Sequence, residues 1–427
     1  MLLLVGCKAT KPEATTPLWR NVDTGYDNAL AGTAAQAVDT DGNSWQAVVN
    51  DDSGHSLRLV DADGVEIWRI ALPLPAQQLS VQNGAATLFG ADNSIARVSW
   101  AGALLWHDQS LPADGERGSV QVASDGSLVA ATIITLHSLA AVALDAAGAV
   151  RWSAVYDYPA GISAASLAQT ASGDVLVLTN KLAGGYQMQT ISSAGVFNAP
   201  QDLDADIAAL IMPALEANDS GVIAVGSKGA VGLADADQVD WQYRPTVLNN
   251  GAVNCSALQA DGLVCAYLSR DYPAESTLEW VANDGTILRT QSLPLSDINR
   301  ILPLDDGRVL LTTVEFKVSG WVFPILTMGI EYTNYRTTRL WVLDGDGNLS
   351  QPVVLPPQEF NGVAQRSLDH LMPIGYSWVT TDTPYESVVA ATMVGDVAIV
   401  AGHVLQLDPL LGSRARNNLV TGYAVLP

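Results

Sequence analysis

A short phrase that repeats along the chain constrains the fold more than any other feature of the sequence. In its first copy, residues 56–72, hydrophobic and polar residues alternate on both sides of Asp63-Gly64. This pattern predicts a β-hairpin with a type I′ turn, since Asp-Gly between alternating hydrophobic residues favours that turn. The positions predicted to face one another are Leu57, Leu59, Val65 and Ile67. Later copies read SIARVSWAGALLWHDQSL, AAVALDAAGAVRWSAVY, LEWVANDGTILRTQSL and LWVLDGDGNLSQPVVL.

A second series of turns shows that the repeating unit is larger than one hairpin. For six intervals its glycines are spaced 41 to 48 residues apart, and a strongly apolar strand follows each glycine. Each unit therefore holds four short strands, which is the period of a β-propeller blade. Eight units predict an all-β, eight-bladed β-propeller of four-stranded antiparallel blades. The turn glycines are Gly42, Gly84, Gly126, Gly173, Gly221, Gly262, Gly307 and Gly395.

The last unit, from about Ser387, contains three strands, and the other end of the chain offers the fourth. In the segment Pro17–Val22 a Leu-Trp-Arg sequence matches the Ile-Trp-Arg of the first unit. An N-terminal strand that joins the last blade would close the ring and remove a free sheet edge. We therefore expect residues 17–427 to form a single β-propeller domain.

The charge balance excludes several classes of partner. The chain of 427 residues has 44 Asp and Glu against 21 Lys and Arg, a formal net charge of −23. Nucleic acids and anionic lipid surfaces would be repelled by such a field, so we expect no nucleic-acid binding. Most of this charge is expected to form a solvated acidic surface.

The first residues, MLLLVGC, predict a location in the bacterial cell envelope. Leu4-Val5-Gly6-Cys7 resembles the lipobox, in which the chain is cut before the cysteine and the thiol is lipidated. Residues 1–6 would then be the remnant of a signal peptide, and residues 7–16 a flexible tether rich in Pro, Thr and Ala. By resemblance to lipoprotein sorting, Lys8 favours the outer membrane, facing the periplasm or the exterior. The alternative is a chance cysteine, because the apolar run is short and no basic residue precedes it.

Two further cysteines, Cys255 and Cys265, flank the turn Ala260-Asp261-Gly262 almost symmetrically. Folding this turn as a hairpin would place them nearly opposite one another on neighbouring strands. A disulfide is compatible with that geometry and with an oxidising compartment. Two buried free thiols remain the alternative.

Three segments depart from the repeat: residues 315–337, residues 356–386 and residues 403–417. The first and third connect the second and third strands of a blade, and the second connects blade seven to blade eight. Both kinds of connection lie at the same end of a propeller. We therefore expect three insertions on one face, where long loops on a rigid scaffold often bind partners.

Aromatic residues are concentrated in these insertions, although the chain is only 7% aromatic. Aromatic side chains are favoured at the centres of binding surfaces. The alternative is that the rings pack the insertions onto the propeller. The candidate binding face comprises Trp321, Phe323, Tyr332, Tyr335, Phe360, His370, Tyr376, Trp378, Tyr385 and His403.

No residue pattern predicts a catalytic centre. Asp39–Asn43 and Asp344–Asn348 resemble fragments of calcium loops, but no glutamate follows at EF-hand spacing, and Asp and Asn are also common turn residues. The five histidines show no metal-binding spacing, although His370 and His403 could converge on the extended face. We expect no metal, no cofactor and no catalytic residue.

The tryptophan four residues after the hairpin glycine resembles the docking motif of quinoprotein-dehydrogenase-like eight-bladed β-propellers, the PQQ-like repeat family. In plan the chain also resembles the lipoprotein propellers of outer-membrane protein assembly. Catalytic members of the quinoprotein family bind a quinone beside adjacent cysteines, and this chain has no adjacent cysteines. The motif is clear at Trp68, Trp106 and Trp152 and shifted at Trp241, and its tryptophan is replaced by Ala199, Arg289 and Gln351.

These features favour a monomeric, membrane-anchored lipoprotein that binds a protein partner in the envelope without catalysis. The alternative is a cofactor-binding or glycan-acting propeller enzyme of the quinoprotein-like class. A cluster of acid–base or metal-binding residues in the central channel would favour the enzyme.

Overall fold

Apart from turns and short connections, the computed structural model consists of β-strands. Among the described residues, no helix has the length and hydrophobicity needed to cross a membrane. The structure describes residues 11–23, 32–49, 54–170, 172–203, 214–218, 221–235, 238–245, 253–258, 262–270, 275–295, 298–304, 306–318, 329–366, 373–380, 385–407 and 414–426.

The strands form eight antiparallel sheets, and each sheet is one blade of a propeller. The prediction of an all-β, eight-bladed propeller is therefore confirmed. Blades one to four are β2 (Gly32–Val38), β3 (Ser44–Val49), β4 (His55–Val60) and β5 (Glu66–Ala71); β6 (Ala76–Gln82), β7 (Ala85–Gly90), β8 (Ile95–Ser99) and β9 (Leu104–Asp108); β10 (Glu116–Val122), β11 (Leu128–Thr135), β12 (Ser138–Leu144) and β13 (Val150–Asp157); β14 (Ile162–Gln169), β15 (Val175–Lys181), β16 (Tyr186–Ile191) and β17 (Gln201–Asp202).

The remaining four blades follow the same order, except that blade eight takes its outer strand from the N-terminal segment. They are β18 (Ala214–Asn218), β19 (Gly221–Gly226), β20 (Gly229–Asp235) and β21 (Gln238–Tyr243); β22 (Val253–Ala257), β23 (Leu263–Arg270), β24 (Glu275–Val281) and β25 (Ile287–Leu293); β26 (Ile298–Pro303), β27 (Val309–Val318), β28 (Gly329–Leu343) and β29 (Val353–Val354); and β32 (Tyr385–Val394), β33 (Val397–Leu407), β34 (Arg414–Ala424) and β1 (Trp19–Asp23).

The core is divided among the interfaces between neighbouring blades. Each of the eight hydrophobic clusters found in the described residues joins residues of two adjacent blades. The second strands β3, β7 and β11 are almost entirely buried. These strands contain runs of apolar residues instead of alternating apolar and polar residues, as expected for strands that are covered on both faces.

The turn of the repeated hairpin is of a different type from the one predicted. Of the pair Asp63-Gly64, only Gly64 has a positive φ, at 83°. Its amide donates to the Asp61 carbonyl at 3.0 Å, and the Asp61 carboxylate accepts the Val65 amide at 2.8 Å. This is a type I turn followed by a left-handed glycine, which forms a bulge, and the type I′ prediction is wrong.

The prediction that Val65 and Ile67 face Leu57 and Leu59 is also wrong. Leu57 pairs with Ile70, and Leu59 pairs with Trp68. Val65 and Ile67 are 60% and 45% exposed, whereas Trp68 and Ile70 pack against the core. The register shifts between Val60, which pairs with Glu66, and Leu59, which pairs with Trp68, so Ile67 is an extra residue and the side chains after it change face. Leu57 and Leu59, on the strand before the turn, are fully buried.

Docking tryptophans of blades one and two pack on the hairpin turn of the following blade. Trp106 lies so close to Gly148 that a Cβ atom on this glycine would be 2.5 Å from the indole ring. Its Nε1 donates to the Ala146 carbonyl at 3.2 Å, and Trp68 Nε1 donates to the Trp100 carbonyl at 2.8 Å. The turn glycine is therefore needed for its missing side chain as well as for its positive φ.

Blade six makes the same contact with a different residue. Arg289 stands at the tryptophan position and donates from Nη1 to the Gly345 carbonyl at 3.0 Å, in the turn of blade seven. Its guanidinium lies 4.5 Å from the centre of the Trp280 ring, as in a cation–π contact. Gln291 Nε2 adds a bond of 2.6 Å to the Gly347 carbonyl. Blade six therefore still contacts the turn of the next blade, although the tryptophan of the motif is replaced by Arg289.

The N-terminal strand closes the ring as predicted. β1 pairs with β34 from Trp19↔Gly422 to Asp23↔Asn418. Trp19 serves as the docking tryptophan of blade eight, because a Cβ atom on Gly64 of blade one would be 2.4 Å from its ring.

A group of charged residues at the same seam was not predicted from the sequence. Arg58 of blade one is 1% exposed, and its Nε lies 3.7 Å from the Asp23 carboxylate of β1. Asp23 also pairs with Arg69 at 3.0 Å, and Glu66 pairs with Arg58 at 3.4 Å and with Arg69 at 2.8 Å. We call Asp23, Arg58, Glu66 and Arg69 the closing charge cluster.

The docking contact predicts a difference between two glycine substitutions. Gly148→Ala is expected to lower the free energy of unfolding by about 2–4 kcal/mol, since it combines the strain of a positive φ with displacement of the Trp106 ring. Gly84→Ala is the control, because Gly84 also has a positive φ but nothing lies within 4 Å of the added carbon. Chemical denaturation measures both, and equal losses would show that the ring contact contributes nothing.

Candidate binding face

Blade seven extends beyond blades one to six at one end. β27 and β28 pair without interruption from Val309↔Leu343 to Val318↔Asn334. The predicted insertion 315–337 therefore continues the blade as a longer hairpin, and residues 319–328 lie outside the described part of the chain.

The second insertion joins the first in a single sheet. β30 (Gln358–Arg366) pairs with the extended part of β28, from Arg336↔Gln358 to Gly329↔Gln365. β31 (Pro373–Thr380) pairs with β30. We call β30, β31 and residues 329–336 of β28 the inserted sheet. These segments are strands rather than the loops that the sequence suggested, because β30 satisfies the backbone groups that the long β28 would otherwise leave unpaired.

The third insertion is also a strand extension. β33 and β34 pair without a register shift from Val397↔Ala424 to Leu407↔Arg414. It connects the second and third strands of blade eight, as the first insertion does in blade seven, whereas β30 and β31 lie in the connection between these blades. Strands alternate in direction within a blade, so all three extensions lie at the same end of the propeller.

The strand register places four of the predicted aromatic residues on one face of the inserted sheet. Tyr332 stands opposite Gly362, which in turn stands opposite Trp378. Phe360 lies two residues before Gly362 on β30 and is opposite Asn334. Tyr376 lies two residues before Trp378 on β31 and is opposite Ala364. Residues directly opposite, or two apart on one strand, share a face of a sheet.

The other candidate residues are distributed differently. Tyr335 belongs to the opposite face and is only 6% exposed, so its ring packs within the protein. Tyr385 and His403 lie in β32 and β33 of blade eight, opposite Leu405 and Ser387. Trp321, Phe323 and His370 lie outside the described residues, and so does the proposed meeting of His370 with His403.

The two calcium-like sequences use their carboxylates within turns. Asp39 Oδ1 accepts the backbone amides of Asp41 at 3.1 Å and Asn43 at 2.8 Å. Asp344 accepts the Asn348 amide at 2.7 Å, and hydrogen bonds from Asn348 lower the pKa of this exposed carboxyl. Across the ranges that the structure describes, no group of three His, Cys, Asp or Glu could hold a metal ion.

Cys255 and Cys265 form a direct pair in the register of β22 and β23 and are joined as a disulfide. The bridge lies in the cluster that joins blades five and six. Beside it, the buried Glu279 carboxylate accepts hydrogen bonds from the hydroxyls of Tyr243 and Tyr267. Burial, followed by the hydrogen bond to Glu279, raises the pKa of Tyr243. This polar group between two blades had no sequence signal, since its members are far apart in the chain.

Three solved structures resemble this chain at low sequence identity. BamB from Moraxella catarrhalis is 12% identical with a TM-score of 0.43, and the similarity covers 96% of this chain and 99% of BamB. The Dos1 propeller is 10% identical with a TM-score of 0.39, covering 96% and 95% of the two chains. A structure of the eukaryotic initiation factor is 11% identical with a TM-score of 0.39, covering 95% and 92%.

The remaining comparisons give no match. No family model matches the chain, and no curated protein does. The resemblance of the tryptophan motif to the quinoprotein-dehydrogenase-like propellers is therefore not supported by a family model.

Proposed function

We propose that this protein is a lipid-anchored envelope protein that binds a partner protein on the inserted sheet and carries out no catalysis of its own. The observation that carries the proposal is the placement of Tyr332, Phe360, Tyr376 and Trp378 on one face of that sheet. These residues come from two insertions that are distant in sequence, and the register brings them together.

The chemistry of this face suits a protein partner. Aromatic residues dominate the energetically important centres of protein interfaces, because they bury a large area with few rotatable bonds. β31, from Pro373 to Thr380, contains no charged residue and carries Tyr376 and Trp378. Charged residues are depleted from interface centres in the same way.

The path of the N-terminal segment supports an anchor near the same blade. Thr15, within the predicted tether, donates from its amide to the Val354 carbonyl at 2.8 Å. Its Oγ1 accepts the Val354 amide at 2.9 Å. The chain from Cys7 therefore reaches the ring at blade seven, which carries the inserted sheet. A lipid on Cys7 would hold this part of the ring close to a membrane.

The binding test compares one buried aromatic residue with aromatic residues of the other face. Full-length protein is used to capture its partner from envelope extracts, mass spectrometry identifies the partner, and its affinity is then measured for each variant. Tyr376→Ala, Trp378→Ala and Tyr332→Ala are expected to leave thermal unfolding nearly unchanged, with at least one losing about 1 kcal/mol or more of affinity. Tyr335→Ala is the control and is expected to lower stability by about 3 kcal/mol, as a core substitution does. If all four variants lose stability and none loses affinity selectively, the aromatic face packs onto the propeller and the proposal is wrong.

The anchor has its own test. Cys7→Ser is expected to move the protein from the membrane fraction of the producing bacterium into the soluble fraction, because a serine cannot be lipidated in this way. A variant with Ser in place of Thr10 keeps the cysteine and serves as the control. Unchanged fractionation of Cys7→Ser would reject the lipobox interpretation without affecting the binding test.

A further inference from the structure

A polar cavity of about 620 Å³ lies at the end of the propeller opposite the inserted sheet. It is lined by the ends of the inner strands of blades two to five and by the turns between first and second strands in blades three and four. Its volume is in the range of sites that bind small molecules. The lining contains no aromatic residue and few apolar ones, so the ligand must be recognised by hydrogen bonds and charge.

Two glutamines of the cavity present buried acceptor atoms that have no partner among the described residues. Gln82 donates from Nε2 to the Val122 carbonyl at 3.2 Å, which fixes its amide and leaves Oε1 free. Oε1 of Gln169 is likewise buried and without a partner. Buried acceptors without a donor are costly, and because these two atoms are buried, a ligand N–H group reaches them only if the glutamine side chains shift.

A single cation and a single anion face this cavity. Arg151 is exposed and forms no ion pair with any residue that the structure describes. Asp125 is held by Ser127, whose amide and hydroxyl donate to Oδ1 at 2.8 Å and 2.6 Å. These bonds, and to a smaller extent the charge of Arg151, lower the pKa of Asp125, so the carboxylate stays ionised at neutral pH.

From this arrangement we propose that the cavity binds a small zwitterion, an amino acid or short peptide, with its carboxylate on Arg151 and its ammonium group toward Asp125. Guanidinium groups pair with carboxylates through two parallel hydrogen bonds. The ammonium group of such a ligand is complementary to Asp125. A zwitterion has no net charge, so the net charge of −23 does not repel it as it would an anion. The site is separate from the inserted sheet and does not depend on the function proposed above.

The test uses triglycine as the probe, since it offers both termini and amide donors without side chains. Isothermal titration of the full-length protein is expected to show saturable binding. C-terminally amidated triglycine and the variant Arg151→Gln are each expected to weaken binding about tenfold, the loss that removal of one charge-assisted hydrogen-bonding group produces. Arg308→Gln is the control, because it changes the net charge equally in blade seven and should bind triglycine like the unaltered protein.

Two results would overturn the proposal. One is an absence of binding at millimolar triglycine. The other is equal binding of amidated and free triglycine, or of a neutral trisaccharide, since a saccharide has no carboxylate for Arg151. If Arg151→Gln proves unstable, the comparison of the two peptides on the unaltered protein still decides between these outcomes.

Discussion

Deletion of residues 17–23 is expected to lower the free energy of unfolding by about 5 kcal/mol or more, as measured by chemical denaturation. The deletion removes β1, so β34 loses its ladder partners over the range Trp19–Asp23. It also removes the Trp19 ring from Gly64 and leaves Arg58 buried without Asp23. An exposed β34 would in addition form an unprotected sheet edge, which promotes aggregation.

A chain that begins at residue 15 provides the control. It keeps β1 and both hydrogen bonds between Thr15 and Val354, and should unfold like the full chain. If deletion of residues 17–23 left the denaturation midpoint unchanged, blade eight would be stable with three strands, and ring closure by β1 would contribute nothing.

The second large effect is expected at the closing charge cluster. Asp23→Asn should lower the free energy of unfolding by about 3 kcal/mol, because it leaves the buried Arg58 without a close anion on β1. Glu66→Gln in the same cluster should cost about 1 kcal/mol or less, since the Glu66 side chain is 33% exposed and its ion pairs are partly screened. Denaturation of the two variants at pH 7 measures the difference. Equal losses would show that burial of the pair has no part in closure.

The pH dependence of stability follows from Glu66. Burial alone would raise its pKa, but the hydrogen bond and charge of Arg69, with those of Arg58, outweigh this effect and lower the pKa below the ordinary 4.5. A carboxyl whose pKa is lower in the folded state contributes stability that is complete above the unfolded value and is lost as the pH falls through the folded value. Below about pH 4.5 the stability of the unaltered protein should therefore fall more steeply than that of Glu66→Gln.

The number and boundaries of the blades were predictable because the repeat encodes them locally. Seven of the eight turn glycines lie between the first and second strands of a blade, and the eighth, Gly221, is the first residue of the second strand β19. The docking role of Trp68 and Trp106 followed from the same period. Closure by Trp19 was predictable too, since the residues around it copy those around Trp68.

The errors arose where one residue changes the register or where distant residues meet. The alternation around Asp63-Gly64 looked complete, but the register shift between Val60 and Leu59 makes Ile67 an extra residue, and Val65 and Ile67 are exposed. The second insertion was taken for a loop because the partner of its first strand, β30, lies in another insertion, on β28. The closing charge cluster had no signal at all, since Asp23 and Arg58 are ordinary surface residue types until β1 joins blade eight beside blade one.

Ring closure by the first strand also imposes an order on folding. β1 precedes the other described strands along the chain, whereas its partner β34 follows them, so β1 must wait while the other blades form. Contacts between residues so far apart in sequence form slowly, because the intervening chain must first be organised. Until then the incomplete ring presents unpaired strands at both ends, the state in which a chain of this kind is most open to aggregation and to capture by chaperones. For this protein, the pairing of β1 with β34 would be the last step of folding, and it would remove the unpaired edge of blade eight.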